Sequence, residues 1–248
     1  MSGDVSAAAP SRIRLRAVVA KEFREYRRNR MIVLTMALSP LLFLVLPLLG
    51  SLTLPESAGH TVVSGVVGQA MLMLLIVPLL LPTTVAAYTV IGEREQGTLE
   101  PVLTTPVTDR ELLLGKALAA TVPALALSWS LFGAYVLIVR LGAAAPVVEA
   151  VWRPAWFAAQ LLLAPVLAGF AIVVGMAISA RSSDIRVAQQ LAGLAALPVM
   201  GGLAAVAYGA ITPSVGVFAA AGALFALVDG IGWRGLTRMF DRERLLTR

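Results

Sequence analysis

The chain has 248 residues, 58% hydrophobic and only 14% charged, with a mean hydropathy of +0.86. So few charges cannot cover so much apolar surface in a soluble domain of this length, which excludes a water-soluble globule and defines an all-α, polytopic membrane protein. There is no cysteine and one histidine, His60, which leaves no disulfide framework, thiolate chemistry or histidine metal cluster to expect. The formal net charge of +6 would suit nucleic acid, but the placement of the bases decides otherwise.

Residues 1–10 are small and polar and read as a flexible tail. From Ser11 to Arg30, Leu15, Val18, Val19, Phe23 and Tyr26 recur at helical spacing, while Arg16, Lys21, Arg24, Arg27 and Arg28 lie mostly on the other side. This pattern predicts a basic amphipathic helix in the membrane interface, its apolar face at the acyl boundary and its bases near anionic headgroups. A solvated basic tail is the alternative. A cleaved signal peptide is not expected, because the charged lead is long and Leu52-Thr53-Leu54 is no small-residue cleavage site.

Six apolar stretches follow, Ile32–Leu54, Val62–Ile91, Glu111–Val139, Ala155–Ala180, Ala188–Ala210 and Val215–Trp233. Each is about the 20 residues that a spanning helix needs, or longer. Residues 31–233 are therefore expected to form a six-helix transmembrane domain, with a loop at 92–110 and a basic tail at 234–248. The second and third stretches are long enough to tilt, kink or project beyond the bilayer. Kinks are expected at Pro78 and Pro82 in the second, Pro123 in the third, Pro165 in the fourth and Pro198 in the fifth. Counted by side, and with Lys116 assigned to the loop it closes, 18 Lys and Arg fall on the side of the two termini and of the 92–110 loop, against 2, Arg140 and Arg153. The positive-inside rule places that side, with both termini, in the cytoplasm and the chain in the inner (plasma) membrane. Because the bases are juxtamembrane, nucleic acid is not an expected partner; membrane lipid is. On the other side, Pro55–Thr61 and Ile211–Ser214 are short loops, and Trp152 and Trp156 suit the headgroup level.

The longest polar segment between two long apolar ones runs from Glu93 to Lys116, with five acids and three bases. Thr108-Asp109-Arg110-Glu111 reads as a capping box, which accounts structurally for Asp109 and Glu111. Glu93 to Leu103 reads as a short acidic helix. Gly97 would allow a close backbone approach and Thr98 could cap a new turn toward Pro101. A solvated loop with internal pairs to Arg94 is the alternative.

The run Glu93-x-Glu95-x-Gly97-Thr98-x-Glu100, then Leu103, Pro106 and Glu111-Leu112-Leu113-Leu114-Gly115-Lys116, resembles the signature loop of ABC type-2 transporter permeases, the membrane subunits of ATP-driven exporters. Supporting pieces extend the resemblance over nearly the whole chain: Lys21-Glu22-Phe23-Arg24-Glu25, Arg30 and Pro40, Arg186-Val187-Ala188-Gln189-Gln190, and Phe240 to Leu246. The resemblance implies that Glu93, Glu95, Gly97, Thr98 and Glu100 form a coupling helix seated in a cleft of a separate ATPase subunit. It implies that Ser11–Arg30 is the connecting helix beside that ATPase, and that Arg181, Asp184 and Arg186 make a lesser cytoplasmic contact. Two ATPase subunits, carrying ATP and Mg, and a second permease copy or a paralogous permease would complete an alternating-access transporter.

No G-x-x-x-x-G-K-[ST] loop occurs, so this chain is not itself an enzyme, and no cofactor is expected in it. Within the spans, Gln69, Ser128, Ser130 and Gln160 are expected to bond neighbouring helices, and the small residues at Gly201-Gly202 and Ala219–Ala223 to allow close helix approach. Asp229 is the one acid well inside an apolar run. It reads as an interface residue that Arg234 or the tail bases neutralise, or else as a gate or ion site. The competing readings are an ion-coupled secondary carrier, which would need paired charges in its spans, and a non-transporting anchor that recruits a cytoplasmic partner. A membrane enzyme would need convergent catalytic groups that the sequence does not offer.

Overall fold

The structure is a computed structural model in which residues 11–28, 30–95, 107–182 and 184–239 are described. Among them every element is helical and there is no strand. In chain order these are α1 (Arg12–Arg28), α2 (Arg30–Leu52), α3 (His60–Glu95), α4 (Asp109–Gly142), α5 (Ala145–Val151), α6 (Pro154–Ala158), a π-helical turn (Ala159–Leu163), α7 (Ala164–Ser179), α8 (Ile185–Ala207) and α9 (Val215–Met239).

Five stretches are helical, long and apolar enough to cross a membrane: His60–Thr83, Arg110–Gly142, Pro154–Ser179, Arg186–Ala207 and Val215–Arg238. They match the second to sixth expected spans. The first expected span falls in α2, where the described apolar part, Pro40–Leu52, is shorter. The 36-residue α3 is about 54 Å long at 1.5 Å per residue, longer than the roughly 30 Å of a hydrocarbon core.

The bundle is built around α3, which packs against α2, α4, α5, α7 and α8. Of an 18-residue apolar window in each helix, 61% is buried inside the bundle for α3 and 11% for α9, so α3 is the hub and α9 a peripheral helix. Met71, Leu74, Leu75 and Leu79 of α3 meet Tyr135 of α4, Leu167 of α7 and Phe218 of α9 in the main core. A second cluster, toward the α1 end, joins Val85 and Ala86 to Leu113, Ile172, Met176 and Leu236. There α3 and α7 approach closely. A Cβ at Gly175 would lie 2.5 Å from the Ala86 Cβ, the small-residue contact by which membrane helices gain packing that lipid cannot supply. Gly201 and Gly202, expected to do the same, have nothing within 4 Å of a Cβ and are exposed. Gly222 makes the close approach in that region, 3.5 Å from the Leu162 carbonyl.

Helices α3, α4 and α8 run through Pro78, Pro82, Pro123 and Pro198 without ending. Membrane helices tolerate proline because neighbouring groups satisfy the freed carbonyls. Pro165 shows how. It follows the π turn, whose register would hand the Gln160 carbonyl to the N–H of residue 165, and proline has none. The Trp129 indole Nε1 of α4 donates to that carbonyl instead, at 3.1 Å.

Two features at the end away from α1 differ from expectation. The 142–154 connection contains the short helix α5, with Val147, Ala150 and Val151 buried. Trp156 is not a headgroup anchor, for it is 4% exposed and packs against Phe218, the two rings tilted by 43° with centres 5.9 Å apart. Trp152 does sit at the surface, with the Arg140 guanidinium 5.9 Å over its ring.

Candidate functional site

The polar segment between α3 and α4 begins in the last turn of α3, where Glu93 and Glu95 lie; their side chains fall outside the described set. Gly97, Thr98 and Glu100 also lie outside the described residues. What is described is the far side of the segment, where α4 begins.

Thr108 caps α4 from an extended conformation. Its Oγ1 accepts the Glu111 N–H at 3.3 Å, and Glu111 Oε2 accepts the Thr108 N–H at 2.8 Å, so the expected capping box is complete. Thr108→Ala should cost about 1 kcal/mol and Thr108→Ser much less, read as shifts in the thermal midpoint of the purified chain in detergent.

Glu111 does more than close its own helix. Its Oε1 accepts from the Ser11 N–H at 2.7 Å and from Arg14 Nε at 2.9 Å, which ties the start of α1 to the start of α4. Further along α1, Glu22 Oε1 meets Lys116 Nζ at 3.0 Å, with both side chains 4% exposed. Lys21 reaches Glu22 at 3.6 Å and Glu25 at 3.3 Å from a more open position. Between these ties Val18 packs directly on Gly115, where a Cβ would lie 2.8 Å from the Val18 Cβ. The apolar stripe of α1 therefore faces α4 at Leu15 and Val18, while Arg16, Arg24, Arg27 and Arg28 stay exposed.

Sequence reasoning missed the roles of Glu22, Lys116, Arg14 and Ser11. One signal was available: Glu22 falls in register with Leu15, Val18 and Tyr26, which puts an acid on the face that packs. Its partner lies 94 residues away, and no local pattern names it.

Of the other candidates, Asp184 is the N-cap of α8, its Oδ1 accepting from Arg186 N at 2.6 Å and Val187 N at 3.4 Å. Arg181 and Arg186 are exposed beside it, and the three share the α7–α8 connection. Asp229 lies in α9 against α7, where a Cβ at Gly169 would be 2.5 Å from its Oδ2. Its Oδ1 is buried with no hydrogen-bond partner, and among the described residues Arg234 forms no ion pair with it. The Gln160 amide and the Ser128 hydroxyl, expected to bond neighbouring helices, are buried without described partners, while Ser130 donates to Ala126 O of its own helix at 2.7 Å. Gln69 is exposed. Among the described residues no group of three or more metal-ligating side chains converges.

The fold and this tethered polar end define a polytopic helical membrane protein. The family model described as ABC-2 family transporter protein matches residues 16–227, from α1 into α9, and the chain belongs to that family. It is an ABC transporter permease, a membrane subunit that is not itself the catalyst. No curated protein matches the chain.

Proposed function

We infer that the chain forms half of the pathway of an ATP-driven exporter. It crosses the inner (plasma) membrane six times, with α2 as the first span and both termini in the cytoplasm. Permeases of this family work with ABC ATPase subunits, and here two such subunits, carrying ATP and Mg, would drive alternating access in a pair of permease chains. The coupling contact is Glu93, Glu95, Gly97, Thr98 and Glu100, with Arg181, Asp184 and Arg186 as the secondary one. The exposed bases of α1 meet anionic headgroups at the interface.

One observation carries this reading. The 93–116 segment links the hub α3 to α4 at the end where α4 is also tied to α1. A displacement applied to this segment reaches α3, which packs against five other helices, and α4, which packs against six. The unpaired Oδ1 of Asp229 marks that residue as the candidate gate or ion site, and it keeps the ion-coupled carrier as the second reading.

The test is affinity purification of the tagged chain from native membranes after mild crosslinking. An ATPase subunit should come with it in about equal amount, and Glu95→Lys with Glu100→Lys should remove most of it without reducing membrane insertion. Undiminished capture by the double variant would overturn the coupling assignment. Absence of any ATPase would favour the carrier or the anchor.

A further inference from the structure

The end of the bundle away from α1 holds two adjoining cavities of about 420 Å³ each, within the range of roughly 300–1,000 Å³ usual for small-molecule sites. His60, Ser64, Ala150 and Arg153 line both. We propose that the cavity toward the α8–α9 connection binds an anionic amphiphile, its charged head on Arg153 and His60 and its apolar body on the floor beneath.

Three features of the site select that chemistry. First, the positive charge of Arg153 is not cancelled locally. Its Nη2 lies 3.1 Å from His60 Nε2, so its described partner is an imidazole, and among the described residues no carboxylate forms an ion pair with it. The guanidinium fork presents five N–H donors in one plane, a match for phosphate or carboxylate. Second, α3 starts at His60, so the positive end of its first turns adds to the same spot. Third, the floor is apolar and buried: Val67 is 1% exposed, Trp156 4% and Val206 8%. Glu149 lines only the other cavity, where its charge disfavours an anion, so the head is directed away from it. A lipid headgroup or a free amphiphile would present the same chemistry. The assignment does not depend on ATP coupling or on which side of the membrane this end faces.

The experiment uses the full chain in neutral phosphatidylcholine nanodiscs, titrated with dodecyl phosphate and read by tryptophan fluorescence, since Trp156 forms part of the floor. Saturable binding is expected, weakened roughly ten-fold or more by Arg153→Gln. It should be blocked by Ser64→Phe, which fills the shared mouth, and unchanged by Arg140→Gln. Ser64→Phe carries the test should Arg153→Gln fail to fold. Competition when phosphatidylglycerol replaces part of the neutral lipid identifies a lipid site, and no competition identifies a site for free amphiphiles. Absence of saturable binding, equal affinity in Arg153→Gln, or equal binding of uncharged dodecyl maltoside would overturn the proposal.

Discussion

Lys116→Met and Glu22→Leu should each lower the stability of the detergent-solubilised chain by about 3–5 kcal/mol, because each removes one partner of a 3.0 Å ion pair whose side chains are both 4% exposed. Lys21, at 3.6 Å and one-third exposed, is a poor substitute for the lost base. The double variant Glu22→Leu/Lys116→Met should regain most of that loss, since two apolar side chains of similar length can fill the same space without desolvating an ion. Thermal unfolding followed by size-exclusion fluorescence would measure all three. Single variants that melt with the wild type would show that α1 is not held by this pair. A double variant that folds normally but no longer responds to its ATPase would show that the pair transmits force as well as holding the helix.

The second large effect is expected at Gly175. An added methyl there would sit 2.5 Å from the Ala86 Cβ and 3.5 Å from the Thr83 carbonyl, in the contact between the hub α3 and α7. Gly175→Ala should cost about 1–3 kcal/mol and Gly175→Leu should abolish the monodisperse species, because neither backbone can yield without moving the core around it. The exchange Gly175→Ala/Ala86→Gly returns one methyl group to the same gap and should recover most of the loss. A Gly175→Ala chain as stable as wild type would mean that the two helices have slack here.

How far the sequence reached follows from the range of each interaction. The last five spans and the α4 capping box were legible because hydropathy, period and a four-residue motif are local properties. Helix α5 was not, since seven residues starting Ala145-Pro146 give less than two full turns of period to read. Nor could the sequence show that α1 turns Leu15 and Val18 onto Gly115, because an amphipathic stripe states that a face is buried without stating by what. The prolines were legible as breaks in the hydrogen-bond ladder, but the groups that compensate them were not. For Pro165 the compensating donor is Trp129 on a different helix. The candidate coupling residues were legible as acids with Gly97 and Thr98 on a polar segment, and as coupling residues only through the family resemblance; the ion pair that secures that end joins Glu22 to a lysine 94 positions away.

The tie between Ser11 and Glu111 also sets an order of events during synthesis. The two residues are 100 positions apart, so at roughly 5–20 residues per second α1 leaves the ribosome about 5–20 s before its partner exists. Throughout that interval Val18 and Leu15 have no α4 to cover them and Glu22 has no Lys116. On the proposed interfacial placement of α1, Arg16, Arg24, Arg27 and Arg28 would give the helix somewhere to wait, since such charges hold a nascent amphipathic segment against an anionic bilayer surface. The first helix made is thus seated only after the fourth has been made, and its basic side acts as a temporary berth before α4 arrives.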